Sequence, residues 1–530
     1  MHLHAGSWVQ QGCSLVQPGL QAIILVLVTL VAYYYAFFDV ARADQLIYLY
    51  RTSEIHGLWN LTVRAYDFNR TNSIGDFILF RPLLYMLLGL ERWLWGYNFT
   101  LWQATSINLH ILVVLSLFTY CHRGCRRFLA EGETSFAPFF IALFFALLYA
   151  GTEMVAWHHI VGYLLFCLLA VQGALAYQSL IEKRDATRAA LLFTIVGLAC
   201  FTYELGNLMA WLMAAGLLFT ITSERRTAEP SRNNLGSHGI LFVVTSLLLW
   251  LPILYVVWSY TDYAAKIGPI PQRAELFAVR RFLWGFAKSV GFWLSVSLFP
   301  ATLHLAPGSR IHVAPPFPIV DPLSFLSSAL AFLVITCTVW QIRHRRFPLD
   351  LVHDWSRAAI ALVLALGYAG IIVMERGMAS GVIWALSNNS YYAYIFTLFC
   401  LMAYFHLVVA PSVAATEKRA IIVRRLLLAA LGGIALTGGS RIYFTHRAMY
   451  ATYSGPMREL FRRIEVVEAR HGGEPDFSFS LAPDCSSLFD LSWFAPHALE
   501  EHQRYTVATA LFPHSERSQS GKYIIECPRP

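Results

Sequence analysis

Charged residues are scarce in this sequence: Asp, Glu, Lys and Arg together make up only 14% of its 530 residues. In a soluble domain this share is nearer a quarter, so the composition excludes an ordinary soluble protein. Hydrophobic residues make up 57% of the chain, and the mean hydropathy is +0.52. Apolar stretches of about 18 residues or more recur along it, and each is long enough to cross ~30 Å of hydrocarbon. We therefore predict an all-α polytopic membrane protein.

The sequence also lacks the short motifs that identify several enzyme classes. It has no Walker loop, GxGxxG, HExxH or GxSxG motif in a convincing context, so ATP-driven transport and zinc-dependent proteolysis lose support. Cys121 and Cys125 do not have the CxxC spacing of a metal or redox site. No Lys or Arg precedes the first apolar run, and no clear small-x-small site follows it. We therefore expect this run to be retained rather than cleaved as a signal peptide.

Eleven apolar stretches are the predicted membrane spans, within a predicted range of about 11 to 13 transmembrane helices. The stretches lie near residues 19–38, 100–120, 136–152, 157–178, 188–203, 205–222, 238–258, 323–341, 358–374, 390–410 and 426–440.

The loops between these spans alternate in charge. The basic clusters lie at residues 122–127, 182–188, 223–232, 343–357 and 417–425, and all five fall on the same predicted side. Because basic loops stay in the cytoplasm, we predict a cytoplasmic N-terminus, with the loops 39–99, 259–322 and 375–389 outside. The same pattern accounts for the formal net charge of +8, so we expect no nucleic acid partner.

The chain divides into a predicted transmembrane domain, residues 1–440, and a small extracytoplasmic α+β domain, residues 441–530. Beyond residue 440 the chain becomes polar, with RELFRRIEVVEARHGG as a predicted helix and short strand-like pieces after it. Cys485 and Cys527 are the two cysteines predicted to be outside. Disulfides persist in that environment, so we predict a bridge between them.

Two outer segments have an amphipathic rather than a spanning pattern. Residues 77–98 and 280–300 combine Trp and Phe with a basic edge, which is typical of helices at the membrane interface. The alternative interpretation is that either segment, 77–98 or 280–300, is one further membrane span.

Polar and ionisable residues recur at the predicted outer ends of the spans. Such groups are costly when they face lipid, so they usually line a cavity or pair with one another. Carboxylates and arginines gathered on one face suit a negatively charged, lipid-borne substrate. The residues concerned are Asp44, Arg81, Glu153, His158, His159, Glu204, Arg376, Tyr391 and Arg441.

Several of these residues lie in stretches that resemble the GT-C superfamily of membrane glycosyltransferases, above all the protein O-mannosyltransferase-like and TMTC-type membrane regions. The stretches are RADQLIYLYR, FRPLLYMLLGLERWLWGYNFTLWQATSINLHIL, GTEMVAWHHIVGYLLFCLL and YELGNLMAWLM, with a weaker likeness in SNNSYYAYIF. The likeness covers most of residues 20–450. It implies a GT-C-like fold and a donor sugar linked to polyprenyl phosphate.

The sequence departs from the GT-C pattern at three points. Ala43 precedes Asp44 where the family often has two adjacent acids, Tyr203 stands where the family has Lys before Glu204, and His159 falls near the family's Arg. No tetratricopeptide repeats follow the membrane region. The identity of the sugar and of the acceptor therefore does not carry over.

Transfer from a lipid phosphate needs a base for the acceptor's proton and cations for the departing phosphate. Asp44 is the predicted catalytic base, because partial burial raises the pKa of a carboxylate toward the working range. Its alternative role is a helix-end carboxylate paired with Arg42 or Arg51. Arg81, Arg376 and Arg441 are the candidates for the phosphate, since a guanidinium binds phosphate through two parallel hydrogen bonds.

The other candidates have structural alternatives that the sequence leaves open. Arg81 is alternatively an interfacial side chain, and Arg376 a partner of the adjacent Glu375. Glu153 and Glu204 either orient the donor or form a buried network. His158 and His159 suit the lipid phosphate better than a divalent metal, because adjacent helical residues point about 100° apart. No cofactor is required by the sequence.

The sequence thus predicts a multi-pass glycosyltransferase of a bacterial inner membrane, with its active site on the periplasmic face. Expected partners are a polyprenyl-phosphate sugar, membrane lipid, and a protein or glycan acceptor. Two alternatives stay open: a lipid-linked polysaccharide ligase or polymerase, and a non-enzymatic lipid or sugar transporter. A transporter would more often have Gly- or Pro-broken spans at matching positions of two halves, and no such symmetry is evident.

Overall fold

A computed structural model describes most of the membrane region and part of the C-terminal tail. The described residues are 5–40, 57–66, 81–96, 98–129, 135–227, 235–267, 279–298, 303–306, 310–313, 322–343, 352–376, 391–413, 417–471, 479–481 and 523–525. Helices dominate these ranges, and two short pairs of strands accompany them.

The first half of the chain supplies ten helices within the described ranges. They are α1 (Ala5–Ala32), α2 (Leu58–Tyr66), α3 (Pro82–Trp95), α4 (Phe99–Arg126), α5 (Ala137–Ala146), α6 (Thr152–Ala156), α7 (Val161–Lys183), α8 (Ala186–Thr202), α9 (Leu205–Thr227) and α10 (Leu235–Ile267). Short 3₁₀ turns follow α1 at Tyr34–Phe38 and flank α6 at Tyr149–Gly151 and His158–Ile160.

The second half continues the bundle and adds the strands. Its described elements are α11 (Val279–Leu298), β1 (Leu303–Ala306), β2 (Arg310–Val313), α12 (Pro322–Arg343), α13 (Val352–Arg376), α14 (Tyr391–Tyr404), α15 (Ala410–Val413), α16 (Lys418–Met449), α17 (Gly455–His471), β3 (Phe479–Leu481) and β4 (Tyr523–Ile525). π-Helical turns at Phe405–Val409 and Tyr450–Ser454 join α14 to α15 and α16 to α17.

The multi-pass helical architecture expected from the sequence is confirmed. Seven runs of helix in the described part are long and apolar enough to cross a membrane, and the bent pair α5–α6 makes up to eight. Four shorter apolar helices accompany them, at Gln17–Ala32, Ala186–Thr202, Phe282–Leu298 and Ser328–Arg343. The finer number of 11 to 13 spans stays a prediction.

One continuous apolar core runs through the bundle, from Leu25 on α1 to Ile442 on α16. Helix α10 lies at its edge, with Leu247 and Trp258 exposed on a surface suited to lipid. The amphipathic segment that forms α11 buries Trp293 in this core but exposes Trp284.

The predicted domain boundary between residues 440 and 441 falls inside α16, and the division into two domains stays a prediction. Helix α17 carries seven charged side chains in 17 residues, so the apolar part of the run ends before it. Strands β3 and β4 pair in parallel, with Leu481 beside Ile525. Cys485 and Cys527 lie outside the described residues, so their bridge stays a prediction.

Candidate functional site

The two ends of the bundle differ in their polar contacts, and α4 runs from one end to the other. At its start, Thr100 Oγ1 accepts a hydrogen bond from Arg458, and Gln103 donates to the carbonyl of Ala156. Just beyond its last residue, Arg127 pairs with Glu182 at the end of α7. We call the end near Thr100 the site end and the end near Arg127 the basic end. Two of the five basic loops predicted to share one side of the membrane therefore meet.

An arginine–carboxylate pair joins α3 to the turn between α8 and α9 at the site end. Arg81 Nε donates to both carboxylate oxygens of Glu204, at 3.0 and 3.1 Å, and Arg81 Nη2 donates to Oε2 at 2.9 Å. Arg81 Nη1 donates to the Tyr163 hydroxyl at 3.4 Å. The guanidinium lies over the Tyr203 ring, 4.6 Å from its centre. Two predicted residues, 123 positions apart, are thus brought together.

The backbone of a tight turn puts Glu204 in this position. Only Tyr203 and Glu204 separate α8 from α9, and the amide of Gly206 donates to the carbonyl of Tyr203. A Cβ atom at Gly206 would lie 2.3 Å from the carbonyl oxygen of Ala199, so a larger residue does not fit. Burial lowers the pKa of Arg81, but the neighbouring Glu204 outweighs it and leaves that pKa well above its ordinary value. Arg81 therefore stays charged.

A second buried group links α3 to α4 through His158. His158 Nε2 lies 2.6 Å from Glu91 Oε2, and its Nδ1 lies 2.7 Å from Ser106 Oγ. In the tautomer that donates Nε2–H to Glu91, Nδ1 accepts from the Ser106 hydroxyl. The Trp102 ring meets the imidazole edge-on. All of these side chains are buried, so this chain of bonds holds α3 on the bundle and is closed to a substrate.

A third buried group lies where the first membrane helix ends. Asp39 follows the 3₁₀ turn after α1 and has no solvent exposure. Its Oδ1 accepts a hydrogen bond from Ser454 at 3.0 Å, and its Oδ2 lies 3.3 Å from His446 Nδ1. Ser454 reaches Asp39 from the π-helical turn after α16, and such turns are frequent at functional sites.

Aromatic and histidine side chains continue this polar group into the core. The Tyr33 ring lies between the rings of His446 and His110, with centres 5.6 and 5.2 Å away. His110 Nδ1 lies 2.7 Å from the Tyr394 hydroxyl, and its Nε2 lies 3.0 Å from the carbonyl of Ala146. The end of α1 and the helices α4, α14 and α16 therefore share one buried cluster of aromatic and histidine side chains.

Arg458 on α17 ties the tail to this end of the bundle. Its Nε donates to the carbonyl of Phe38 at 2.6 Å, and its Nη2 donates to Phe37 and to Thr100. Helix α17 is thereby fixed beside the first turn of α4. Between these two helices lies an open cleft of about 450 Å³, with Val40 in its wall next to Asp39.

The structure describes the side chains of some of the remaining predicted site residues but not of others. Glu153 is buried in α6, and the Arg441 guanidinium on α16 lies 5.9 Å from the centre of the Tyr149 ring. His159 lies in a 3₁₀ turn, Arg376 ends α13 and Tyr391 begins α14, but their side chains are outside the described part. Asp44 itself lies outside the described residues.

Several residues of this end were missed by the sequence reasoning. The sequence analysis assigned no role to Asp39, Glu91, Ser106, His446 or Arg458. An available signal was position, because Asp39 directly follows an apolar run and ionisable groups at span ends tend to be partnered. Among the described residues, no three His, Cys, Asp or Glu side chains group in a way that could hold a metal ion.

Comparison with known proteins gives no relative: no family model matches the sequence, and no curated protein matches it.

Proposed function

We propose that the chain is an integral-membrane glycosyltransferase that transfers a sugar from a polyprenyl-phosphate donor to an acceptor on the extracytoplasmic face. The observation that carries the proposal is the gathering of buried carboxylates, histidines and arginines at one end of a membrane bundle. Buried ionisable groups in membrane proteins are costly and mark functional sites. The opposite end carries basic loops, which favours the site end as the extracytoplasmic one.

The proposed chemistry uses Asp44 as the base that takes the proton of an acceptor hydroxyl. Asp44 follows Asp39 by five residues, so covalent connectivity limits the separation of their Cα atoms to about 18 Å. Asp39 is bonded to Ser454 and lies beside His446, so we assign it the role of fixing the chain just before Asp44. General-base assistance of this kind contributes about 10²–10⁴-fold in rate.

In this proposal some arginines bind the phosphate of the donor and one has a positioning role. Arg81 is neutralised by Glu204, so its role is to position α3 and the turn that carries Glu204. Arg441 lies at the site-end half of α16, five residues before His446, and is assigned to the phosphate with Arg376. A planar guanidinium binds phosphate through two parallel, charge-assisted hydrogen bonds, and a neutral side chain cannot form this charged pair.

Consumption of a labelled donor tests the proposal. Purified protein in lipid vesicles receives polyprenyl-phosphate-linked hexoses and host membranes that contain natural acceptors. We expect wild-type protein to transfer the label and Asp44→Asn to abolish transfer. Asp185→Asn, at the basic end, is the matched control, because Asn replaces Asp well at a helix N-cap.

Each outcome of this assay decides between the alternatives. Transfer at the wild-type rate by Asp44→Asn removes Asp44 from the mechanism. Movement of lipid or sugar across the vesicle membrane without any transfer favours the transporter. Extension of a lipid-linked polysaccharide, with no use of a single-sugar donor, favours the ligase or polymerase. An Arg376→Ala variant with unchanged donor affinity returns Arg376 to a structural role.

A further inference from the structure

None of the roles above uses the cleft between α4 and α17. Its volume of about 450 Å³ falls in the range of small-molecule sites, about 300–1,000 Å³. Its wall comes from the segment after α1, the start of α4 and one face of α17. The lining residues are Val40, Asn98, Phe99, Thr100, Arg458, Phe461, Arg462 and Glu465.

The charges around the cleft have both signs. Arg462 donates to both carboxylate oxygens of Glu459, at 2.7 Å each, and Arg463 donates to the same carboxylate, so two arginines share one negative charge. Arg458 carries one positive charge, and Glu465 in the same wall carries one negative charge. A multiply charged anion such as a phosphate would meet the Glu465 carboxylate in this wall. This carboxylate disfavours the lipid phosphate of the donor as the occupant of the cleft.

The same wall offers hydrogen-bond donors and acceptors together with an apolar face. Asn98 supplies an amide, Thr100 a hydroxyl and Glu465 a carboxylate, while the arginines supply donors only. The Phe99 and Phe461 rings lie 5.6 Å apart, centre to centre. A sugar ring combines hydroxyl groups, which both donate and accept, with a C–H face that packs against aromatic carbon. This mixture of groups matches a neutral polyhydroxylated ligand.

A short stretch of chain connects the cleft to the proposed base. Val40 forms part of the cleft wall, and Asp44 is four residues further along the chain. Four residues span at most about 14 Å between Cα atoms, which is the upper limit on the separation of Val40 and Asp44. A site for the donor's lipid tail would instead need an apolar groove that opens toward the membrane.

We propose that this cleft binds a neutral glycan segment of the acceptor, an inference that rests on the proposed glycosyltransferase function. The acceptor is then a carbohydrate chain, held by α17 and the start of α4 while one of its hydroxyl groups is presented for transfer. This role also accounts for the charged helix α17, which Arg458 fixes at the site end.

Ligand-observed NMR on protein in lipid nanodiscs, free of sugar-based detergent, tests the proposal. The probes are maltotriose, mannotriose and chitotriose, each alone, with inorganic phosphate and a Ser-rich peptide as competing ligand classes. We expect at least one trisaccharide to bind wild-type protein. Arg462→Ala and Glu465→Ala, both at exposed positions, are expected to weaken it at least tenfold.

Arg463→Ala is the matched control, because Arg463 also bonds to Glu459 but does not line the cleft. Three outcomes would overturn the assignment. Arg463→Ala could weaken binding as much as the two lining variants, none of the three trisaccharides could bind, or phosphate or the peptide could bind more tightly than they do. The binding experiment contains no sugar donor, so a negative result does not bear on the proposed transfer reaction. Conversely, a wild-type protein that binds a trisaccharide but does not use a sugar donor refutes the proposed transferase activity and leaves glycan binding in the cleft in place.

Discussion

The Arg81–Glu204 ion pair at the site end of the bundle is largely buried, whereas the Arg127–Glu182 pair at the basic end is exposed. The side chains of Arg81 and Glu204 are 8% and 15% exposed, and those of Arg127 and Glu182 are 33% and 52% exposed. Burial of a charge is unfavourable unless a partner and hydrogen bonds compensate it. The site end accepts this unfavourable burial repeatedly, which indicates a requirement beyond stability. At the basic end water solvates the charges, and membrane topology is enough to explain them.

The largest expected effect is loss of one partner from the buried pair. Arg81→Ala leaves the Glu204 carboxylate without its cation, and we expect destabilisation by about 3–5 kcal/mol. The double variant Arg81→Met with Glu204→Leu removes both charges and is expected to recover most of the stability. Thermal unfolding in detergent micelles measures both variants against wild type.

The exposed pair at the basic end supplies the control for this experiment. Arg127→Ala removes a partner of Glu182 and is expected to change stability by no more than about 1 kcal/mol. Similar losses from Arg81→Ala and Arg127→Ala would contradict the difference between the two ends.

A smaller effect is expected at the histidine that joins α3 to α4. Glu91→Gln keeps an acceptor oxygen near His158 but removes the charge that fixes the ring, and a loss of about 1–3 kcal/mol follows from an imperfectly satisfied buried group. The same unfolding assay measures it. Glu182→Gln is the corresponding change at the basic end, and an equal loss there would show that burial is not the cause.

The smallest effect on stability is expected at Glu459, which lies at the site end but is exposed. It therefore tests whether burial, rather than position at the site end, determines the size of the effect. Hydrogen bonds from Arg462, and then from Arg463, lower the pKa of Glu459 to about 2. The contribution of this ion pair to the stability of the fold is therefore complete above the ordinary pKa of Glu459, near 4.5, and is lost as the pH falls through about 2. Unfolding of wild type and Glu459→Gln across pH 5 to 2 measures it. A difference in stability between wild type and Glu459→Gln that stays constant from pH 5 to 2 would show that the ion pairs of Glu459 do not stabilise the fold.

The sequence predicted the helices better than the site. Each predicted span from 100–120 onward corresponds to a helix, because long apolar runs must satisfy their backbone groups internally. The charge clusters at 122–127 and 182–188 were placed on one side, and Arg127 does meet Glu182. These features are local, so they can be read from one stretch of chain.

The contacts that form the site are long-range and could not be read in this way. Asp39 and Ser454 are 415 residues apart, and nothing in either segment indicates the other. The sequence identified Arg81 and Glu204 as polar residues at span ends, but their pairing depends on how α3 packs against the α8–α9 turn. His158 was noted for a substrate, whereas Glu91 and Ser106 occupy both of its ring nitrogens.

Identification of the lipid that copurifies with the protein tests the central claim most directly. Wild-type protein is purified from native membranes under mild conditions, and its bound lipids are determined by mass spectrometry. The proposed transferase predicts a polyprenyl phosphate that carries a sugar, present in wild type and depleted in Arg441→Ala. Bilayer phospholipids alone, in equal amounts in both proteins, would contradict it.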